Sequence, residues 1–119
     1  MNTVTIVGRV GRDAADGFKA FESGRSKYTY SVAVNRWDTK TKSQVTDWFN
    51  VDQWFNENDE GRSNFVANYV KKGREIAIDG TIASRKWQDK TTGEEKETYY
   101  IVANDIKLLG SQKDVENVM

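Results

Sequence analysis

Residues 46–55 read TDWFNVDQWF, and this segment decides the fold class and raises the question of function. Alternate residues of a β-strand point to opposite faces. The more apolar face of this strand would carry Phe49, Val51, Gln53 and Phe55. The opposite face is polar apart from its two largest side chains, Trp48 and Trp54. Two tryptophans on the polar face of a strand indicate that they contact something other than the core.

The same two-residue period predicts four further strands around this one. They cover residues 3–10, 28–37, 75–87 and 98–109. In the last strand the apolar residues Tyr100, Val102, Ile106 and Leu108 share one phase, which predicts that they face the core. Gly8 and Gly80 interrupt strand patterns, and such glycines usually mark bends that curl a small sheet towards a barrel.

Between Asp59 and Gly73 the apolar residues recur every three or four positions, which predicts a short helix. Asp59 or Ser63 suits its N-cap, and Gly73 suits its left-handed end, with Lys71 and Lys72 in the last turn. The fold class is therefore all-β with one short helix. A five-stranded Greek-key β-barrel of the type that binds oligonucleotides and oligosaccharides, the OB-fold, matches this order. Other small β-barrels also fit the pattern.

The chain has 119 residues, which predicts a single domain over residues 1–111 and a short tail over 112–119. It contains neither histidine nor cysteine, so zinc sites and the usual nucleophile–base pairs are excluded. An enzyme would depend on carboxylates, and we expect no catalytic activity and no cofactor. The segment NENDE, residues 56–60, offers oxygen ligands but lacks the spacing of a calcium loop. Without an apolar run or a leader, we expect a cytoplasmic protein and no membrane partner.

Basic and acidic side chains are equal in number, at 18 each, but they are unevenly distributed. Residues 1–46 carry eight basic and four acidic side chains, whereas residues 47–60 carry five acidic ones and no basic one. Residues 61–93 are again basic. A neutral total is compatible with a basic surface if the acidic groups cluster elsewhere.

All four tryptophans take the polar phase of their strands: Trp37, Trp48, Trp54 and Trp87. They could cover a second small core or a subunit interface. A sharper interpretation is a platform on which unpaired bases stack, with cations that bind the phosphates. The candidate cations are Arg9, Arg36, Lys72, Arg74, Arg85 and Lys86. Three acids near the tryptophans, Asp38, Asp52 and Asp89, oppose phosphate, and we expect them to lie beside the strand of DNA or to face base edges.

Five segments resemble the bacterial single-stranded DNA-binding proteins over about residues 1–111. In order, they are MNTVTIVGRVGRD, WFNVDQW, ANYVKKG, IDGTIASRKWQDKTTGE and DIKLLGS, and the first is most similar to the cyanobacterial and plastid branch. The resemblance implies an OB-fold, a homotetramer, and coating of single strands during DNA replication, recombination and repair. It also implies base stacking on Trp37, Trp48, Trp54 and Trp87.

Three features depart from the family pattern. Ala14 replaces a common proline, and the acidic segment FNENDEGRSN, residues 55–64, is inserted before the helix. The long acidic tail that recruits replication and repair proteins has no match before Met119, so we do not expect recruitment of that kind. The sequence predicts sequence-independent binding of single-stranded DNA. The alternatives are a tailless paralogue acting as a protein-interaction or primosome-type scaffold, and a carboxylate-dependent hydrolase.

Overall fold

The computed structural model describes residues 1–110, so the predicted tail at 112–119 lies outside the described residues. The strands are β1 (Val4–Val10), β2 (Phe18–Ala20), β3 (Ser26–Asp38), β4 (Ser43–Phe55), β5 (Glu75–Gln88) and β6 (Glu95–Leu109). The helix α1 spans Glu60–Tyr69, and two short 3₁₀ helices span Ala14–Gly17 and Glu57–Asp59. Within residues 1–110 no helix is long and apolar enough to cross a membrane.

Five strands form a closed barrel in the order β1-β5-β6-β4-β3. Pairing of β1 with β3 through Arg9↔Ala33 and Val10↔Val32 closes it. The short β4–β6 pairing is parallel, and the other pairings are antiparallel. The predicted fold class, a five-stranded barrel with one short helix, is confirmed. The three-residue strand β2, which pairs with β3 outside the barrel, has no pattern of its own and was not predicted.

The core fills the barrel and the space beneath α1. Its largest fully buried side chains are Tyr30, Ile76, Ile78, Val32, Val51, Val66 and Val70. Gln53 lies among the apolar residues of β4 because its Oε1 accepts a hydrogen bond from the Tyr30 hydroxyl at 3.0 Å, so neither polar group is left unpaired. Burial raises the pKa of Tyr30 well above that of an exposed tyrosine.

The helix is shorter than its sequence pattern predicts. Asp59 is at the N-cap position as expected, but the helix ends at Tyr69, and Lys71 and Lys72 therefore follow it instead of lying in its last turn. The carbonyl of Val70 accepts from the backbone N–H of Ala14 at 2.9 Å, which ties this end to the start of the chain. Gly73 adopts the predicted left-handed conformation, at φ 89°.

A bulge in β6 overturns one predicted face. Asp79 pairs with Asp105, but the next residue, Gly80, pairs with Ala103, so β6 carries one extra residue. An extra residue reverses the alternation that follows it. Ile101 and Ala103 therefore face the core, and the prediction that Tyr100 and Val102 share the buried face of Ile106 and Leu108 is wrong.

Gly80 lies opposite this bulge, where β5 and β6 approach each other closely. A Cβ atom at this position would overlap the carbonyl oxygen of Val102. The absence of a side chain allows the two backbones to meet at the bend. Beyond it, β5 and β6 continue as a long hairpin that turns at Asp89–Glu94.

Candidate nucleic-acid interface

The four tryptophans face the outer side of the barrel wall. In the β3–β4 ladder, Trp48 pairs with Ala33, and Trp54 pairs with Lys27. These positions alternate with the buried residues of the same strands. The ladder continues through Asp52↔Val102 to Thr81 of β5, and Trp87 lies in phase with Thr81. We call the outer surface of β3, β4, β5 and β6 that carries Trp37, Trp48, Trp54 and Trp87 the tryptophan face.

Three of the four indole rings are open to solvent. Trp37 is 61% exposed, Trp48 62% and Trp87 48%, whereas Trp54 is half-buried. The ring of Phe21, from the turn between β2 and β3, is stacked on Trp54 with 5.2 Å between centroids and 26° between planes. Exposed aromatic surface of this extent usually marks a binding surface.

The Trp48 ring rests on the end of β1. A Cβ atom added at Gly11 would lie 2.5 Å from Cζ3 of Trp48 and 2.6 Å from Oγ of Ser31. Arg9 lines the same cleft as Trp48, and its Nη1 donates to the carbonyl of Gly73 at 2.9 Å. The predicted phosphate ligand Arg9 and the predicted stacking residue Trp48 are therefore brought together.

Arg85 is a predicted cation that lies on the tryptophan face, where its side chain is 59% exposed. Its direct neighbour in sequence, Lys86, points to the other side of β5 and lies 3.9 Å from a carboxylate oxygen of Glu97. Arg36 is likewise on the side of β3 opposite Trp37. It donates through Nε to Asp47 at 2.6 Å, and this hydrogen bond raises the pKa of Arg36. Arg36 and Lys86 therefore point away from the face that carries the tryptophans beside them in sequence.

The two predicted cations after α1 differ in their surroundings. Lys72 has an exposed side chain, and its backbone N–H donates to Asp13 Oδ1 at 2.8 Å. Arg74 is half-buried and donates through Nε to the carbonyl of Leu109 at 3.1 Å. Arg74 thus ties the end of β6 to the start of β5.

Asp52 lies in the phase of Trp48 and Trp54 but is not an exposed acid. It is 5% exposed, and its Oδ1 accepts from the Thr29 hydroxyl at 2.9 Å. Its Oδ2 lies 3.5 Å from Nη2 of Arg85 and 3.7 Å from Nζ of Lys27. The buried carboxylate is therefore compensated by two cations, the exposed Arg85 and the more enclosed Lys27.

The other two acids near the tryptophans stabilise turns. Asp38 Oδ1 accepts from the backbone N–H of Lys40 at 3.0 Å. Asp89 Oδ1 accepts from the backbone N–H of Thr91 at 2.8 Å. Both are side-chain-to-backbone contacts typical of aspartate in turns, so their carboxylates are engaged at the tips of the two long hairpins.

Sequence reasoning missed several residues of this face. Lys27 has the phase of Trp37 but lies one residue before the predicted strand, which begins at Tyr28, whereas β3 begins at Ser26. Tyr100 was hidden by the bulge. Arg25 and Phe21 come from a turn that has no strand or helix period, so the sequence does not indicate their contacts. In the structure, Cζ of Arg25 lies 4.6 Å from the Trp54 ring centroid.

The acidic insertion forms the second 3₁₀ helix and the first turn of α1. Its Glu57 carboxylate lies against Gly24, where a Cβ atom would overlap it, and Gly24 closes the turn that carries Phe21. The insertion is thus packed beside the Phe21–Trp54 stack. Among residues 1–110, no three carboxylates are grouped so that they could hold a metal ion.

Comparisons with known proteins agree with this geometry. The family model described as the single-strand binding protein family matches residues 1–109. "Single-stranded DNA-binding protein 1" of Nostoc sp. is 37% identical over 114 residues, covering 96% of this chain and 87% of the relative. "Single-stranded DNA-binding protein 1" of Synechocystis sp. is 37% identical over 115 residues, covering 96% and 88%.

The solved structure of a Plasmodium falciparum SSB complex with ssDNA is similar in fold. It superimposes with a TM-score of 0.75 at 24% identity, covering 92% of this chain and 96% of that one. The family match spans the whole barrel, including both long hairpins and the four tryptophans. The chain belongs to the single-strand binding protein family.

Proposed function

We propose that the protein binds single-stranded DNA without regard to its sequence, and protects strands exposed in replication, recombination and repair. One observation carries the proposal: four tryptophans lie on one face of an OB-fold barrel, and three have open rings. Family membership supports the same ligand. We place this activity in the cytoplasm, at the nucleoid.

In this proposal the bases stack on Trp37, Trp48 and Trp87, and on the exposed part of Trp54. Stacking on an aromatic side chain stabilises binding by roughly 1–3 kcal/mol per base and tolerates any base. Arg9, Arg85 and Lys72 neutralise phosphates. We leave out Arg36 and Lys86, which are on the opposite side of their strands, and Arg74, which is half-buried as well as bonded to Leu109.

We also propose that the protein acts by binding and not by catalysis. The family match favours DNA binding over the alternative of a protein-interaction or primosome-type scaffold. Competition distinguishes the two classes. A single-strand binder releases a labelled thymine oligonucleotide when unlabelled single strands are added, but not when duplex is added. A scaffold shows no such preference.

Fluorescence titration tests the stacking mechanism. Adding a thymine oligonucleotide at low salt is expected to quench much of the tryptophan emission, because bases cover the exposed indoles. Raising the salt concentration should weaken the affinity, since phosphate contacts release counterions. Emission that stays unchanged while an independent assay reports binding would contradict stacking, and absence of binding in both assays would contradict the function.

We propose a homotetramer as the assembled form, as the family resemblance implies. Within residues 1–110, positions 4–8 of β1 are paired only on the β5 side, and Val7 is 51% exposed. An open strand edge favours pairing with another chain. Light scattering should give about four times the chain mass of 13.6 kDa, and a value close to one chain mass would contradict the proposal.

A further inference from the structure

Asp52 is an acid on a surface that we assign to a polyanion, and its surroundings explain its presence there. We propose that Asp52 is a positioning residue of the DNA site, holding Arg85 and Lys27 against two aromatic rings so that Arg85 meets a phosphodiester in a fixed orientation. This inference rests on the proposed function and deepens it. It brings Tyr100, Lys27 and Asp52 into the site.

The first step is the geometry of two cation–aromatic pairs that share one carboxylate. Cζ of Arg85 lies 4.7 Å from the Tyr100 ring centroid, and Nζ of Lys27 lies 5.3 Å from the Trp54 ring centroid. Both cations approach Asp52 Oδ2, at 3.5 and 3.7 Å. A cation over a ring face is attracted by the electrons of the ring. Asp52 thus links the β5–β6 hairpin to the β3–β4 ladder.

The second step concerns what each partner exposes. The Asp52 side chain is 6% exposed and that of Lys27 18%, whereas Arg85 is 59% exposed. A guanidinium has five N–H donors in a planar fork. Arg85 can therefore donate to Asp52 through Nη2 and still present donors to a phosphate. Lys27 is too enclosed for the same role and serves to compensate the carboxylate.

The third step decides whether removing Asp52 weakens or tightens DNA binding. If Asp52 only competed with phosphate for Arg85, its removal would tighten DNA binding. However, a buried carboxylate that loses part of its compensating charge is destabilised, and Lys27 would then be the one remaining cation at Asp52, so departure of Arg85 towards DNA is opposed. The cation must bind DNA while it remains paired. Removing the acid then frees the Arg85 side chain, whose ordering opposes binding.

The experiment measures affinity for a thymine oligonucleotide by fluorescence anisotropy at several salt concentrations. We expect Asp52→Asn to bind roughly tenfold more weakly, although the protein becomes more positive by one charge. The slope of log affinity against log salt should fall by about 0.7, the value for one lost phosphate contact on a single strand. Tighter binding, or an unchanged affinity and slope, would overturn the proposal.

Asp79→Asn is the matched control, because it removes the same charge from an exposed acid of the same strand as Arg85. Asp79 is six residues from Arg85, about 20 Å along the strand, which exceeds the Debye length of about 8 Å at physiological salt. We expect its affinity to stay within twofold of the unaltered protein. A loss in this control equal to that in Asp52→Asn would show a general charge effect and overturn the positioning role.

A double-mutant cycle separates positioning from general damage to the fold. Arg85→Ala alone should weaken binding roughly tenfold, and adding Asp52→Asn should cost little more, because Asp52 acts through Arg85. Fully multiplicative losses, roughly a hundredfold, would contradict the coupling. If the unaltered protein binds no oligonucleotide, the proposed function fails. If it binds and the two losses of affinity multiply, only this inference fails.

Arg85→Lys tests the same idea without changing Asp52, in case the Asp52 variant does not fold. Lysine keeps the charge but has a single ammonium head instead of a planar fork, so it cannot bridge Asp52 and a phosphate in the same way. We expect a loss close to that of Arg85→Ala. Retention of full affinity by Arg85→Lys would show that only the charge matters and would overturn the proposal.

Discussion

Gly11 sets the position of the Trp48 ring, although it belongs to neither strand of the β3–β4 hairpin. The indole lies where a side chain at residue 11 would extend, next to Ser31. The backbone N–H of Gly11 also donates to the carbonyl of Ser31 at 2.8 Å, which fixes this spacing. The orientation of Trp48 on the tryptophan face therefore depends on a residue with no side chain.

We predict that Gly11→Ala weakens oligonucleotide binding about threefold to tenfold, because the new methyl group displaces the Trp48 ring and reduces its share of the roughly 1–3 kcal/mol from stacking. Anisotropy titration measures the affinity, and thermal unfolding checks the fold. Gly61→Ala is the control, since within the described residues nothing lies within 4 Å of its added Cβ. Equal affinities of the two variants would contradict this role of Gly11.

Single-residue orientations were predictable where the strand period was unbroken. The outward direction of Trp48 and Trp87 followed from alternation alone. The same rule directs Arg36 and Lys86 away from the tryptophans beside them, because residues next to each other in a strand point to opposite faces. The ion pairs of Asp52 could not be predicted, since they join β3, β4 and β5 through contacts between residues far apart in sequence.

At the scale of elements, the bend of β5 at Gly80 separates the barrel wall from the protruding hairpin. Before it, Ile76 and Ile78 are buried; after it, Arg85 and Trp87 reach solvent. The close approach to Val102 holds β5 and β6 together where β6 carries its extra residue. The bend thus places the end of the hairpin, with Trp87, beyond the core.

We predict that Gly80→Ala lowers the free energy of unfolding by about 2 kcal/mol or more, because the added methyl group meets a backbone carbonyl that cannot move without breaking the ladder. Urea unfolding followed by circular dichroism measures the change. Gly61→Ala again serves as the control and should be neutral or slightly stabilising, as expected for alanine in a helix. An unchanged unfolding midpoint for Gly80→Ala would contradict the packing at the bend.

Element types were predictable, and element ends were less so. The helix pattern included Asp59 as one of two N-cap candidates, with Ser63, but it extended too far, because the apolar spacing continues to Val70 while the carbonyl of Val70 bonds to Ala14. Apolar periodicity reports burial, and Val70 is buried outside the helix. The β6 bulge could not be predicted, because one inserted residue leaves both halves of the strand with ordinary alternation.

At the scale of the whole molecule, the chain has no histidine and no cysteine. Aspartate and glutamate ordinarily titrate near pH 4, and lysine and tyrosine near pH 10. Apart from the amino terminus, the charge of the protein is therefore nearly constant between pH 6 and pH 8.5. The proposed stacking of bases on tryptophan does not depend on protonation of the protein in this range either.

We predict that the affinity for a thymine oligonucleotide varies less than twofold between pH 6 and pH 8.5 at constant ionic strength. Stability should fall above about pH 10. The raised pKa of Tyr30 means that the folded state keeps a proton that the unfolded state releases, so the stabilising effect is complete below pH 10 and is lost as the pH rises further. Anisotropy and urea unfolding across pH 6–11 measure both quantities. A titration midpoint in affinity near pH 7 would contradict the assignment of the site.

The extra residue in β6 also limits how the chain can change in length. Ile101 and Ala103 face the core while Tyr100 and Val102 face outward, and this arrangement holds only because one residue is left over between Ala103 and Asp105. Deleting Asn104 would force one half of the strand to exchange its inner and outer sides. Insertions and deletions should therefore be tolerated at the turns around Lys40 and Thr92 but not within β6. In β6 a side chain can be substituted, but the number of residues in the strand cannot change.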